Sequence, residues 1–189
     1  MTKRVQKEAD GPDPLGALVS SLEARQEPRP PTKASASLDL PNRKHPAHGV
    51  RTRSDQPTII SLTVCAKDRH GWMADPQVHL MLRDVWTNAS AWLVGRYVIL
   101  PDHVHLFAAP GLAPIPLDNW VRYWKSQFSK KISADRTRRW ETDHWDSRVR
   151  DVESYRNKWE YVQNNPVRHG LVARAEDWPF QGSIHDLPW

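Results

Sequence analysis

Apolar and polar positions follow two periods along this chain, and their order predicts its elements. Thr58 to Cys65 (TIISLTVC) is rich in β-branched residues and predicts a first strand. After a polar loop, Asp75-Pro76 marks a helix start, an acidic N-cap with proline at the first helical position. Val78, Met81, Leu82, Val85, Trp86, Ala89 and Trp92 then recur on one helical face. Leu93 to Leu100 and Val104 to Ala109 read as second and third strands, turned into a hairpin by Pro101-Asp102. A second helix is expected from Leu117 to about Ile132. Trp120, Trp124, Phe128 and Ile132 repeat there every four residues as a core-facing stripe, with Arg122, Lys125, Lys130 and Lys131 off it. A short strand around Trp145 to Arg150 follows. A third helix runs from about Val152 to Asn164 and stops because Pro166 disfavours a helical Asn165. The rest is a short packed tail with turns.

The pattern is missing before Pro57. No Phe, Tyr or Trp occurs ahead of Trp72, and residues 1–56 hold seven of the sixteen prolines, with ten Lys/Arg against seven Asp/Glu. Such a stretch buries too little apolar surface to offset chain entropy. Residues 1–56 are therefore expected to be a disordered, basic, proline-rich tail, and residues 57–189 the folded domain. The tail is either a solvated linker or an arm that follows a phosphate backbone.

Composition narrows the function classes. A formal net charge of +5 permits a polyanionic partner without requiring one. Cys65 is the only cysteine, which excludes an intramolecular disulfide framework and a thiolate zinc site and fits a reducing, cytoplasmic setting. No apolar run reaches the length of a membrane span, and no secretory leader is apparent. Ten tryptophans exceed what a core of this size needs by chance, and Trp also serves as a stacking platform for unpaired bases.

His103-Val104-His105 is the first candidate for chemistry. Residues two apart on a strand share a face, so the two imidazoles project together and can hold a divalent cation. By itself the pair also fits two half-exposed strand histidines in a chain with nine. Tyr161 and Asn165, four apart, share one side of the third helix, and they equally fit a core tyrosine and a helix-ending amide. Tyr155 points well away from Tyr161. Trp145, Trp159 and Trp178 read as core residues, and His144 and His169 as surface or loop histidines.

Joined to their flanks, these motifs become specific. PDHVHLF, the PLDNWVRYWKSQFSK helix, WDSRVRDVESYRNKWEYVQNNPVRHGLV and EDWPFQG occur in this order. The arrangement over about residues 57–182 closely resembles the REP-associated tyrosine transposases, within the single-tyrosine HUH transposases of insertion sequences. The resemblance implies an α+β, ferredoxin-like fold, an antiparallel sheet of four or five strands with helices mainly on one face. It implies that His103 and His105 are metal ligands, with Asn165 as the third, and that Tyr161 is the nucleophile. Mg²⁺ or Mn²⁺ suits such an open site better than structural zinc. The implied reaction is breakage and joining of single-stranded or hairpin DNA through a 5′-phosphotyrosine, by a monomer or a homodimer. Arg122, Lys125, Arg148, Arg150, Arg156 and Arg168 are expected to contact DNA phosphates. Two other readings are a hairpin-binding protein without catalysis, and a metal-dependent nuclease using water in place of Tyr161.

Overall fold

A computed structural model describes residues 58–132 and 135–187, and within them the strand pattern becomes a five-stranded antiparallel sheet. The tail expected over 1–56 lies outside the described residues. In chain order the elements are β1 (Ile59–Ala66), α1 (Pro76–Asn88), β2 (Trp92–Ile99), β3 (His103–Pro110), α2 (Leu117–Lys131), β4 (Trp140–Val149), α3 (Val152–Gln163), α4 (Asn165–Arg168) and β5 (Gln181–Ser183). The strands lie in the order β4-β1-β3-β2-β5. The first four strands and two helices form the ferredoxin-like split βαβ arrangement, as expected.

Sheet alternation divides the core in two. Ile60, Leu62 and Val64 of β1 and Val104, Leu106 and Ala108 of β3 face α1 and α2, where Trp86, Trp120, Trp124 and Phe128 are buried. Each such Trp removes roughly 150–250 Å² from water, a gross gain of about 4–6 kcal/mol before entropy is charged against it. Ile59, Val98, Phe107, Ala109 and Val149 face the other way and pack with Val162 of α3 and with Trp178. Two long helices thus cover one face, and α3 crosses the opposite one. Covering both faces explains why β3 is buried along nearly its whole length.

Local signals are met at α1, where the Asp75 carboxylate accepts from the N–H groups of Gln77 (2.9 Å) and Val78 (3.0 Å). Trp92 is a correction. The helix ends at Asn88, and Trp92 opens β2, with its indole N–H donating to the carbonyl of Ile115 (2.9 Å). Strand β4 is longer than expected and starts at Trp140. It is the edge beside β1, and its mixture of exposed and half-buried positions hides the alternation that marks strands. Strand β5 was not expected at all, since three residues carry no periodicity. The third helix does not simply stop at Pro166. Asn164 stays helical (φ −82°, ψ −2°), and α4 restarts with Pro166 in its first turn, where a missing N–H costs nothing. Among the described residues no helix is long and apolar enough to cross a membrane.

Candidate active site

The histidine pair stands on β3, on the face covered by α3. Alternation sets this: His103 and His105 share a side with Phe107 and Ala109, and Val104 and Leu106 point to α1 and α2. Both rings are buried, at 1% and 8% exposure. They meet at 89° with centroids 4.7 Å apart, and their Nε2 atoms are 3.1 Å from one another.

Each far nitrogen is engaged. His103 Nδ1 donates to the Asp102 carboxylate (2.6 Å), and His105 Nδ1 meets the Thr63 hydroxyl (2.8 Å). Thr63 reaches it because β1 and β3 pair Thr63 with His105 and Cys65 with His103. The Asp102 bond holds the His103 proton on Nδ1 and leaves a lone pair at Nε2. The Thr63 hydroxyl can either donate or accept, so it supports both tautomers of His105. Burial pulls the pKa of His103 below the ordinary histidine range and that of His105 well below it, so both are neutral imidazoles.

This donor set fits a divalent cation. Two nitrogens bound to one ion at 2.0–2.1 Å and near a right angle stand about 3 Å apart, close to the Nε2 separation seen here. Among the described residues no three His, Cys, Asp or Glu side chains are placed to hold a metal. Cys65 is a protonated thiol, because burial pushes its pKa up to about 11.

Asn165 is 3% exposed at the start of α4, and its carbonyl accepts from the His169 N–H (2.9 Å). The His169 ring lies 6.3 Å from that of His103, so α4 sits at the histidine pair. Tyr161, on α3, is 49% exposed, and the Arg168 guanidinium lies 4.3 Å from its ring centroid. Tyr161 is thus accessible to a macromolecular substrate. Tyr155 packs on Phe107 (4.8 Å), turned to the sheet as its helical position requires.

The expected DNA contacts divide. Arg150, Arg156 and Arg168 are exposed on or beside α3 and α4. Arg122 belongs to α2, on the opposite side of the sheet, with its guanidinium held by Asn119 (2.7 Å). Arg148 is half-buried and, by alternation with Val149, turned to the α2 face. Lys125 is a clear departure. Its ammonium is buried and donates to the carbonyls of Glu141 (2.8 Å) and Thr142 (3.2 Å), so it ties α2 to β4. His144 and His169 also differ from expectation. The first is buried beside Asp118 (3.3 Å), and the second stands at the site.

Thr63, Asp102 and Arg69 were not singled out in the sequence. Asp102 adjoins His103, which was a usable signal, but Thr63 and Arg69 arrive only through strand pairing and a turn. The same end of the sheet also gathers cations from the segment that leads into β4. Lys67 N–H bonds the Arg139 carbonyl (2.8 Å), and Ala66 pairs with Trp140, which sets exposed Arg136 and Arg139 at the His103 end of the sheet.

No protein-family model matches the chain. Among curated proteins it is 30% identical over 97 residues to the REP-associated tyrosine transposase of Escherichia coli, covering 50% of this chain and 56% of that protein. It is 30% identical over 104 residues to a protein named for the same family in Haemophilus influenzae, covering 47% and 57%. The chain thus spans just over half the length of these curated relatives. Among solved structures, a REP-associated tyrosine transposase bound to a REP hairpin superposes with a TM-score of 0.59 at 24% identity, over 70% of this chain and 81% of that one, a likeness of fold. Over about half its length the chain is thus similar in sequence to curated REP-associated tyrosine transposases, and it shares the fold of a solved one.

Proposed function

We propose that the chain is a DNA-strand transferase that binds hairpin DNA with single-stranded flanks and breaks and rejoins a strand through Tyr161. The observation that carries this reading is the convergence of two neutral, buried imidazole Nε2 atoms, 3.1 Å apart, on the sheet face crossed by the tyrosine helix. The names of the relatives, one of them bound to a REP hairpin, support the substrate class.

His103, His105 and the Asn165 amide oxygen would hold Mg²⁺ or Mn²⁺, which when bound supplies Lewis acidity and a template for a phosphate oxygen. Tyr161 Oη attacks the phosphorus, its proton leaves, and a bond from oxygen to phosphorus forms as the bond to the 3′ oxygen breaks. The 3′ oxygen departs as a hydroxyl after taking up a proton. The phosphodiester energy is kept in the 5′-phosphotyrosine, so a second 3′-OH reverses the step and joins a new strand without ATP. Arg168 over the Tyr161 ring, with Arg150 and Arg156, offers positive charge to the flanking phosphates.

The test is a labelled hairpin incubated with the full chain in Mn²⁺ or EDTA and run on a denaturing protein gel. A metal-dependent covalent adduct is expected, lost in Tyr161→Phe. Cleavage that survives Tyr161→Phe marks a hydrolase. Hairpin binding with no adduct under any metal condition marks a non-catalytic binder, and either result overturns the proposal.

A further inference from the structure

The turn that leaves β1 carries a conformational conflict. Lys67 to His70 closes with the His70 N–H on the Lys67 carbonyl (3.1 Å), and both central residues are left-handed, Asp68 at φ 54° and Arg69 at φ 56°. This is the pattern of a type I′ turn, whose second central position favours glycine because a Cβ there is crowded. Asp tolerates the left-handed region better than most residues. Arg does not, and glycine would serve the chain reversal at lower cost. Among the described residues, these two are the only non-glycine residues with positive φ.

The strained turn has one evident product. It brings the Arg69 side chain back to the sheet end, where Nε donates to the Asp102 carboxylate (3.0 Å) and Nη1 to the Cys65 sulfur (2.7 Å). The turn is seated on the same loop, through Ala66 N–H to the Asp102 carbonyl (2.8 Å) and Met73 N–H to the Pro101 carbonyl (2.8 Å). Asp102 uses Oδ2 for Arg69 and Oδ1 for His103 Nδ1. Arg69 is therefore two hydrogen bonds from the histidine ring and touches neither imidazole nitrogen. Strain held at a site by its surroundings is a recurring mark of function, and here it has a specific beneficiary.

We propose that Arg69 is a positioning residue for the histidine pair: the left-handed turn holds its guanidinium on Asp102, and Asp102 so anchored keeps His103 protonated at Nδ1 with Nε2 bare toward a divalent cation. This rests on the metal-site reading above. The three-link chain from guanidinium to carboxylate to imidazole extends the carboxylate–histidine partnership common around metal ligands.

Arg69→Gly is the informative variant, since it removes the guanidinium and also relieves the backbone. Mn²⁺ affinity of the full chain, measured by calorimetry without DNA, is expected to fall about tenfold or more. The melting temperature is expected to stay level or rise. In the metal-free protein, ¹⁵N shifts of the His103 imidazole are expected to move from one tautomer toward a mixture. Asp68→Gly, which relieves the neighbouring strain and keeps Arg69, should leave Mn²⁺ affinity at the wild-type value. The inference is overturned if Arg69→Gly binds Mn²⁺ as wild type does with unchanged His103 shifts, or if affinity and melting temperature fall together, which marks a plain structural role. Wild-type protein that binds no Mn²⁺ would overturn this inference and the metal-site reading with it. Normal binding in both proteins overturns this inference alone.

Discussion

At the scale of single residues, the site depends on which nitrogen carries a proton, and that is decided by partners outside the histidines. Thr63 touches only His105 Nδ1 among the site atoms. Thr63→Val keeps the shape and removes the hydroxyl, so Mn²⁺ affinity is expected to fall about tenfold, by calorimetry, with the melting temperature nearly unchanged. His103→Ala should abolish both Mn²⁺ binding and the covalent adduct. Lys125 makes the opposite kind of prediction. Burial pulls its pKa from 10.5 down to about 8, so between these values the unfolded chain binds the proton more readily than the folded one. Stability from this group therefore rises with pH across that window and is lost as pH falls through it. Lys125→Met strands three β4 carbonyls and should cost about 2 kcal/mol near neutral pH. Wild type minus Lys125→Met, followed as urea midpoints from pH 7.5 to pH 10, should widen in favour of wild type.

At the scale of elements, local sequence signals did well where the physics is local. The Asp75-Pro76 start of α1 needs only the backbone ahead of it, and the carboxylate caps two N–H groups as expected. Asp75→Ala should cost about 1 kcal/mol, read as a shift in denaturant midpoint with unchanged slope. Elements shaped by neighbours were harder to read. Trp92 fits the spacing of α1 and yet opens a strand, because Ala89 (ψ 53°) breaks the helix where the chain must reach the sheet. Strand β4 hides behind polar edge positions, and Lys125 looked like a surface cation because its partners are carbonyls sixteen to eighteen residues away. Proline at 166 was rightly a boundary, but the chain resumes as α4 and so brings His169 to the site.

At the scale of the whole molecule, the sheet has a tryptophan-filled face and a histidine-bearing face. The α1/α2 face is filled by tryptophans, and the α3 face carries the histidines at one end and an aromatic clamp at the other. Phe107 meets Tyr155 (4.8 Å) and Trp159 (6.2 Å), and Arg96 lies 5.2 Å from the Trp159 ring centroid. This clamp fastens α3, and with it the tyrosine, to the strand that bears the histidines. Trp159→Ala is therefore expected to speed hydrogen exchange in α3 and lower adduct yield more than tenfold, while β1 and β3 stay protected. Equal loss of protection in β1 and β3 would show that α3 is not separable from the core.

The sequence by itself determined what depends on near neighbours. It set the strands and helices of residues 58–132 to within a few positions, the shared face of His103 and His105, and, through motif order, the family resemblance. Only the tertiary structure decided which groups meet across the sheet. Register places Thr63 beside His105, the left-handed turn brings Arg69 onto Asp102, and α4 carries His169 to His103. It also placed Lys125 and Arg122 away from the histidine-bearing face by packing α2 against the other side. The physical reason is one of range. Periodicity and capping act within a few residues, but the partners that fix a tautomer or bury a charge are joined by strand pairing over tens of residues, which no local pattern encodes.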